Sequence, residues 1–300
     1  MKQNTSILCA DIGGSFIDCA LVFPDGTFSD RRKVPTPAQD LTAFLNTLEQ
    51  LAGVYDAQVP LHIAIAGLQD PETDICNTAN IPCINGTPLA PRLAERLGRT
   101  VRIGNDADCF TLAEARLGQA RGHANVLGII LGTGVGGGIV LDGRLIVGAG
   151  GLTGEWGHGP VIPDVPEAAD LVPCFPCGCG QKGCIDTIGG ARGLERLYAW
   201  SGGSAETDSR AILQAWRAGE PTAVRTVGLY IQYLSASLAV AVNVTGATIV
   251  PAGGGLSNAA DLLEALDLAT RQKILRPMET PLLVSSSLGP NAGLLGAAFL

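Results

Sequence analysis

The chain has 300 residues, 46% of them apolar and 16% charged, and a net charge of -8. That length and apolar content bury a large core of one or two domains, and the acidic balance leaves no basic stripe interleaved with aromatics, which argues against nucleic acid or a polybasic membrane contact as partner. No apolar run of about 18 residues is read, and residues 1–5 lead straight into a strand, so neither a membrane span nor a signal sequence is expected; the protein is expected in the cytoplasm with a small molecule as its partner.

Residues 7–11 and 17–23 read as strands around the turn Gly13-Gly14, and Pro24-Asp25-Gly26 supplies the next hairpin turn. Residues 40–51 and 107–117 carry helical spacing, whereas 61–66 and 101–103 are short buried strands. Residues 126–131 and 138–141 repeat the opening device around Gly132-Thr133-Gly134-Val135-Gly136-Gly137, again followed by a hairpin turn, Asp142-Gly143. A unit that recurs once in each half predicts a duplicated α/β fold. Its two related domains, residues 1–118 and 119–289, each build one wall of a cleft, and the C-terminal helix 290–300 completes the first. Further along, helices are expected at 193–200, 209–218 and 222–242, a strand at 247–250, and a helix from about 258 to 275 opened by Gly253-Gly254-Gly255; a last helix covers 293–299. Residues 163–173 and 201–208 read as loops.

Of nine cysteines, Cys9, Cys19, Cys76, Cys83 and Cys109 are scattered and read as reduced thiols. The others cluster. His158 in Glu155-Trp156-Gly157-His158, with Cys177, Cys179 and Cys184 in Cys177-Gly178-Cys179-Gly180-Gln181-Lys182-Gly183-Cys184, offers three thiolates and an imidazole, a set that closes a tetrahedral Zn²⁺ shell. Cys174 is the weaker ligand candidate. Glu155 precedes His158 by three residues and Asp186 follows Cys184 by two, so one metal would fix two acceptors for a polar ligand.

The glycine clusters at 13–14, 132–138 and 253–255 each follow an expected strand, where backbone N–H groups can approach phosphate oxygens, and a nucleoside triphosphate is the natural ligand. The second cluster satisfies GxGxxG, but a strand rather than a helix follows it, which argues against a dinucleotide site, and no GxxxxGK[ST] occurs. Asp106, at the start of the 107–117 helix, is either an N-cap or a general base for a substrate hydroxyl, with Asn105 holding a neighbouring hydroxyl. Asp11, beside the first glycine turn, is either a turn residue or a carboxylate that orients Mg²⁺ or its waters. His62 and His123 show no partner motif.

Taken in order over nearly the whole chain, Asp11-Ile12-Gly13-Gly14, Gly104-Asn105-Asp106-Ala107, Leu131 to Gly138, Gly154-Glu155-Trp156-Gly157-His158, the cysteine block, Gly253-Gly254-Gly255, and Leu288-Gly289 with Ala292-Gly293 resemble the ROK family of sugar kinases, which have the actin-like ATPase (ribonuclease H-like) fold. Within it, Thr78-Ala79-Asn80-Ile81-Pro82, Asn105-Asp106-Ala107-Asp108-Cys109-Phe110 and the Cys177 to Ile185 block are most similar to the branch acting on N-acetylglucosamine. Glucokinases more often carry a Trp near Ile81-Pro82-Cys83-Ile84-Asn85, and small residues there would leave space for an acetamido group.

The resemblance implies ATP-dependent phosphorylation of the 6-hydroxyl of N-acetylglucosamine with Asp106 as the base. It implies sugar contacts from Asn80, Asn105, Asp106, Glu155, His158 and Asp186, zinc held by His158, Cys177, Cys179 and Cys184, and a structural rather than catalytic role for that zinc. ATP would lie along Gly13, Gly14 and Ser15, along Gly132, Thr133, Gly134, Val135, Gly136 and Gly137, and at Gly254 and Gly255, with Asp11 toward Mg²⁺; a homodimer is compatible with the resemblance. Two positions depart from the pattern. Phe16 stands where the family usually has Lys, and Asp186 stands where it prefers Glu, one methylene longer. The competing readings are a glucose or N-acetylmannosamine kinase and a sugar-responsive regulator, for whose DNA-binding segment the ten residues before Asp11 leave no room.

Overall fold

The computed structural model describes residues 6–164 and 172–300, so the start expected at 1–5 and most of the loop expected at 163–173 lie outside the described residues. The chain opens with β1 (Ile7–Ile12), β2 (Phe16–Val22) and β3 (Phe28–Pro35), an antiparallel meander. Helix α1 (Leu41–Ala52) follows, its first turn capped by the Asp40 carboxylate, which accepts from the Thr42 and Ala43 N–H groups. Then come β4 (Leu61–Ile65), the short hairpin of β5 (Leu68–Gln69) and β6 (Cys76–Asn77), α2 (Leu89–Leu97), β7 (Val101–Asn105) and α3 (Asp106–Arg116). The first sheet runs β3-β2-β1-β4-β7, with β4 parallel to both β1 and β7.

The second half supplies β8 (Val126–Leu131), β9 (Val135–Leu141), β10 (Arg144–Leu145), α4 (Asp186–Gly189), α5 (Ala191–Trp200), α6 (Ser209–Arg217), α7 (Pro221–Thr245), β11 (Val250–Gly253), α8 (Ala260–Arg271), β12 (Leu283–Ser285) and α9 (Ala292–Ala297). Its sheet runs β10-β9-β8-β11-β12, with β11 parallel to β8 and β12. Both sheets are a three-strand meander followed by two parallel strands, the repeat expected from the recurring glycine turn. Core packing follows residue spacing: Phe44, Leu48 and Leu51 lie on one face of α1 and bury against Leu8, Ala10, Ile12, Ile63 and Ile65 of the sheet. Each such fully buried large side chain contributes about 1.5–3 kcal/mol.

Packing groups the chain into two compact units, one of residues 1–122, 138–153 and 287–300, the other of 123–137 and 154–286. The sequence suggested one division near Gly118. Residues 138–153 group with the first unit, where Gly138 lies so close to α3 that a Cβ would stand 2.6 Å from Thr111 Oγ1 and 2.9 Å from the Ala107 carbonyl. At the chain's end α9 packs on α3 through Gly296, where a Cβ would fall 1.7 Å from the Cys109 carbonyl oxygen. Buried His62 on β4 meets the Ala297 carbonyl through Nδ1 at 2.9 Å, and burial lowers its pKa.

Several expectations shift. Val135-Gly136-Gly137, read as turn, opens β9, and the strand expected at 247–250 is 250–253. Helices α2 and α4 and strand β12 were not read from the sequence. Against the expectation of no membrane-length apolar segment, α7 is long and apolar enough to cross a membrane by length and composition. It packs against α5, α6 and α8, with Tyr230, Leu234 and Leu238 fully buried.

Gly296→Ala forces α9 off α3, and overpacking of backbone against backbone should cost about 3 kcal/mol or more. Gly228→Ala, mid-helix in α7 where a Cβ meets nothing within 4 Å, should instead gain about 0.5–1 kcal/mol. Thermal unfolding midpoints should move down for the first and up for the second.

Candidate active site

In the first unit the predicted residues gather where β1 and β7 end. The turn after β1 is closed by the Gly13 N–H donating to the Phe16 carbonyl at 3.0 Å, and Thr36 Oγ1 donates to the Gly13 carbonyl at 2.7 Å. A Cβ on Gly14 would stand 2.8 Å from the Asn80 carbonyl, so Asn80 is brought against this turn. Gly293, at the start of α9, approaches the Asp11 carboxylate so closely that a Cβ would be 2.8 Å from Oδ2.

The cap question at α3 has a plain answer. Asn105 is the N-cap: its Oδ1 accepts from the Ala107 N–H at 2.8 Å and the Asp108 N–H at 3.3 Å, while its Nδ2 donates to the Gly67 carbonyl at 2.9 Å. Asp106 is the first residue of the helix, and its Oδ1 lies 2.9 Å from the Ala107 nitrogen. Its carboxylate faces the positive end of the helix dipole. Burial, then repulsion from Asp106, pushes the Asp11 carboxyl up to about 6, against opposing pulls from Arg31 and Lys33.

In the second unit the cysteine block folds as a knuckle. The Cys177 N–H donates to the Gln181 carbonyl at 2.8 Å and the Gly180 N–H to the Cys177 carbonyl at 3.1 Å, with Gly180 and Gly183 at φ of 90° and 71°. The ligand atoms of His158, Cys177, Cys179 and Cys184 lie within 4.8 Å of one another. His158 Nδ1 is 3.6 Å from Cys177 Sγ, and the Cys179 and Cys184 sulfurs are 3.7 Å apart. Ligands bonded to one ion at about 2.0–2.3 Å in a tetrahedron stand about 3.5–3.8 Å from each other, so the donor set and its spacing fit a zinc-sized ion. Cys174 lies outside the four, its Sγ packed at Gly183. His158 Nε2 faces Glu155 Oε2 at 3.5 Å, the carboxylate partner that orients a metal-bound imidazole. Burial is the first cause of Glu155's raised pKa.

Asp186 opens α4, and its carboxylate turns toward the glycine turn: the Val135 N–H donates to Oδ1 at 2.8 Å. The Asp186 N–H donates to the Gly157 carbonyl at 2.9 Å, and Trp156 Nε1 donates to the Gly136 carbonyl at 2.9 Å. Beyond α4, the Ala191 N–H donates to the Gly132 carbonyl at 2.8 Å. A Cβ on Gly190 would strike the Thr133 carbonyl at 2.4 Å, and one on Gly254, at φ 88°, would strike the Leu131 carbonyl at 2.4 Å. Gly132, Thr133 and Gly255 line a cavity of about 650 Å³ that α5, α6 and the Leu256–Asn258 turn complete. Its remaining wall includes Ala191, Ser209, Arg210, Gln214 and Asn258, none of which was singled out from the sequence. They sit on ordinary amphipathic helices and turns, and only the folded chain brings them beside the glycines.

A family model described as the ROK family matches residues 7–300. The chain is 38% identical to an N-acetylgalactosamine kinase AgaK of Shewanella sp. (strain ANA-3), over 97% of this chain and 94% of that protein. It is 36% identical to an N-acetyl-D-glucosamine kinase of Pasteurella multocida (strain Pm70), over 97% of each. Among solved structures, the ROK hexokinase from Thermus thermophilus superposes with a TM-score of 0.83 at 31% identity, over 98% of this chain and 97% of that one.

Asp186→Ala leaves the Val135 N–H without its acceptor and should cost about 1–3 kcal/mol in denaturant unfolding. Asp186→Asn keeps an acceptor oxygen and should cost less than half as much. Equal losses for the two variants would mean that the bond to Val135 is not what the carboxylate contributes.

Proposed function

The chain belongs to the ROK family, and from that membership we propose that it is a cytoplasmic sugar kinase that transfers the γ-phosphate of ATP to the 6-hydroxyl of N-acetyl-D-glucosamine. The relative named N-acetyl-D-glucosamine kinase at 36% identity supports the sugar class. The observation that carries the chemistry is the placement of Asp106 at α3: Asn105 is the N-cap, accepting from the Ala107 and Asp108 N–H groups, and the Asp106 carboxylate stands at the helix start close enough to Asp11 to raise its pKa. A specific observation favours a second reading, N-acetylgalactosamine as acceptor, because the 38% identical relative carries that name.

In this reading Asp106 orients the 6-hydroxyl and accepts its proton as the oxygen bonds to the γ-phosphorus and the bond from that phosphorus to the bridging oxygen breaks. The transition state is loose, so orientation and charge neutralisation matter more than a strong base. The second Nδ2 hydrogen of Asn105 donates to a neighbouring hydroxyl. Asn80, Glu155, His158 and Asp186 complete the sugar contacts, Asp186 through Oδ2, which also faces Cys177 Sγ at 3.7 Å. Backbone N–H groups at Gly13, Gly14 and Ser15, along Gly132, Thr133, Gly134, Val135, Gly136 and Gly137, and at Gly254 and Gly255 receive the nucleotide, whose base and ribose fit the 650 Å³ cavity. Asp11 would hold Mg²⁺ or its waters; its carboxyl, buried and repelled by Asp106, fits a divalent cation. Such an ion neutralises phosphate charge. Zinc on His158, Cys177, Cys179 and Cys184 would supply a structural tether.

Compared over N-acetylglucosamine, N-acetylgalactosamine, N-acetylmannosamine and glucose, kcat/KM should be highest for N-acetylglucosamine. A higher value for N-acetylgalactosamine selects the second reading, and a higher value for glucose overturns the amino-sugar assignment.

Asp106→Asn should lower kcat by about 10²–10⁴-fold and leave equilibrium sugar affinity within a few-fold. Since Asn105 retains the cap, unfolding stability should barely move; turnover within a few-fold of wild type would remove Asp106 from the chemistry.

Cys179→Ser should lose bound zinc on elemental analysis, unfold at a lower temperature and bind sugar more weakly, because metal binding contributes to folding free energy. Fully active wild-type protein that contains no metal would contradict the tether.

A further inference from the structure

A row of charged side chains crosses the first sheet. Register sets Asp11 of β1 opposite Asp18 of β2, and Asp18 opposite Lys33 of β3. Directly opposed residues share a face of the sheet, so these three side chains stand in line across it. Two opposed carboxylates repel, and Arg31 answers Asp18: its Nε and Nη2 donate to the two carboxylate oxygens at 2.9 and 2.6 Å, while its guanidinium lies 5.5 Å from the Phe28 ring centroid. That cation is committed.

Lys33 is not. It is exposed, belongs to no ion pair among the described residues, and rests its ammonium 4.8 Å from the centroid of the Phe16 ring. Phe16 is itself 49% exposed and is the first residue of β2 after the turn Gly13-Gly14-Ser15. The same turn is pinned to the end of β3 by the Thr36 N–H donating to the Ser15 carbonyl at 3.0 Å. An exposed cation therefore rests on Phe16 at the rim of the turn whose backbone is assigned to phosphate, and its charge reaches Asp11, whose pKa it lowers. A cation over an exposed ring gains only about 0.5–1 kcal/mol, whereas a charge-assisted bond to a phosphate oxygen is stronger.

We propose that Lys33 is a phosphate-binding residue, its ammonium leaving the Phe16 ring for an oxygen of the β- or γ-phosphoryl group of a nucleotide seated at the Gly13–Ser15 turn. This rests on the nucleotide reading of that turn. It assigns Phe16 the role of a resting platform that keeps the ammonium beside the site when no phosphate is present.

Calorimetric titration of Mg·ATP, and separately of AMP, into wild type, Lys33→Met and Lys33→Met/Phe16→Lys tests it. Methionine keeps the apolar stem and loses the charge. Lys33→Met should weaken ATP binding about tenfold while AMP, which lacks the outer phosphates, stays within twofold. Phe16→Lys, on the same face one strand away, should recover most of the loss. ATP affinity within twofold of wild type in Lys33→Met overturns the proposal. So does an equal loss for ATP and AMP, the mark of a displaced strand, and so does a loss that Phe16→Lys leaves unrepaired. A wild type that binds ATP with all the expected signatures yet phosphorylates no sugar would overturn the kinase reading and leave Lys33 in its role.

Discussion

One hydrogen bond, from the Val135 N–H to Asp186 Oδ1 at 2.8 Å, joins the two working parts of the second unit. Asp186 lies two residues beyond Cys184, so the segment that ends the cysteine knuckle also begins the support of the glycine turn. Its own N–H holds the Gly157 carbonyl, next to His158, and five residues on the Ala191 N–H holds the Gly132 carbonyl. The glycines follow from this crowding. Gly134 sits where a Cβ would stand 2.6 Å from Asp186 Oδ1, and Gly190 where one would stand 2.4 Å from the Thr133 carbonyl. Tyr230 closes the arrangement from below, its buried hydroxyl donating to the Gly189 carbonyl at 2.8 Å. Asp186 thus touches both the cysteine cluster, with Oδ2 3.7 Å from Cys177 Sγ, and the turn, through Oδ1.

How much of this was legible in the sequence varies with the range of the interaction. The repeated strand, glycine turn and strand were readable because apolar alternation and turn residues are local signals, and the two sheets share one strand order. The cluster of His158 with Cys177, Cys179 and Cys184 was readable because these are rare residue types at short spacing. Helix α2 was missed because Pro88 and Pro91 interrupt its pattern, α4 because one turn is too short for periodicity, and β12 because its three residues gain their pairing only from β11. The bend at Val135-Gly136-Gly137 looked like a loop because glycine favours turns, yet pairing with neighbouring strands holds it extended.

The ambiguity at α3 had a different origin. Asn105, Asp106 and Asp108 all have side chains able to cap a helix, and composition cannot rank three adjacent candidates. Backbone geometry can: Asn105 is extended at φ -65° and ψ 148°, whereas Asp106 is already helical. Asp186 shows the reverse case. Its shorter side chain looked in the sequence like a loss of reach, and in the fold that length suits a bond to the Val135 amide.

Charge completes the picture of the first unit. Asp11, Asp18 and Asp106 concentrate negative charge at one end of its sheet, and the buried Asp11 carboxyl is correspondingly hard to ionise. Such a cluster is costly alone and suits an occupant that brings cations and a proton-bearing hydroxyl, which is the demand of a phosphoryl transfer from ATP to a sugar. The most direct test is the ³¹P NMR spectrum of the product formed from ATP, Mg²⁺ and N-acetylglucosamine by the purified protein. A new phosphomonoester signal coupled to the two H6 protons of the sugar is the expected result. A phosphate on any other oxygen, or ATP left intact beside the sugar, would contradict it.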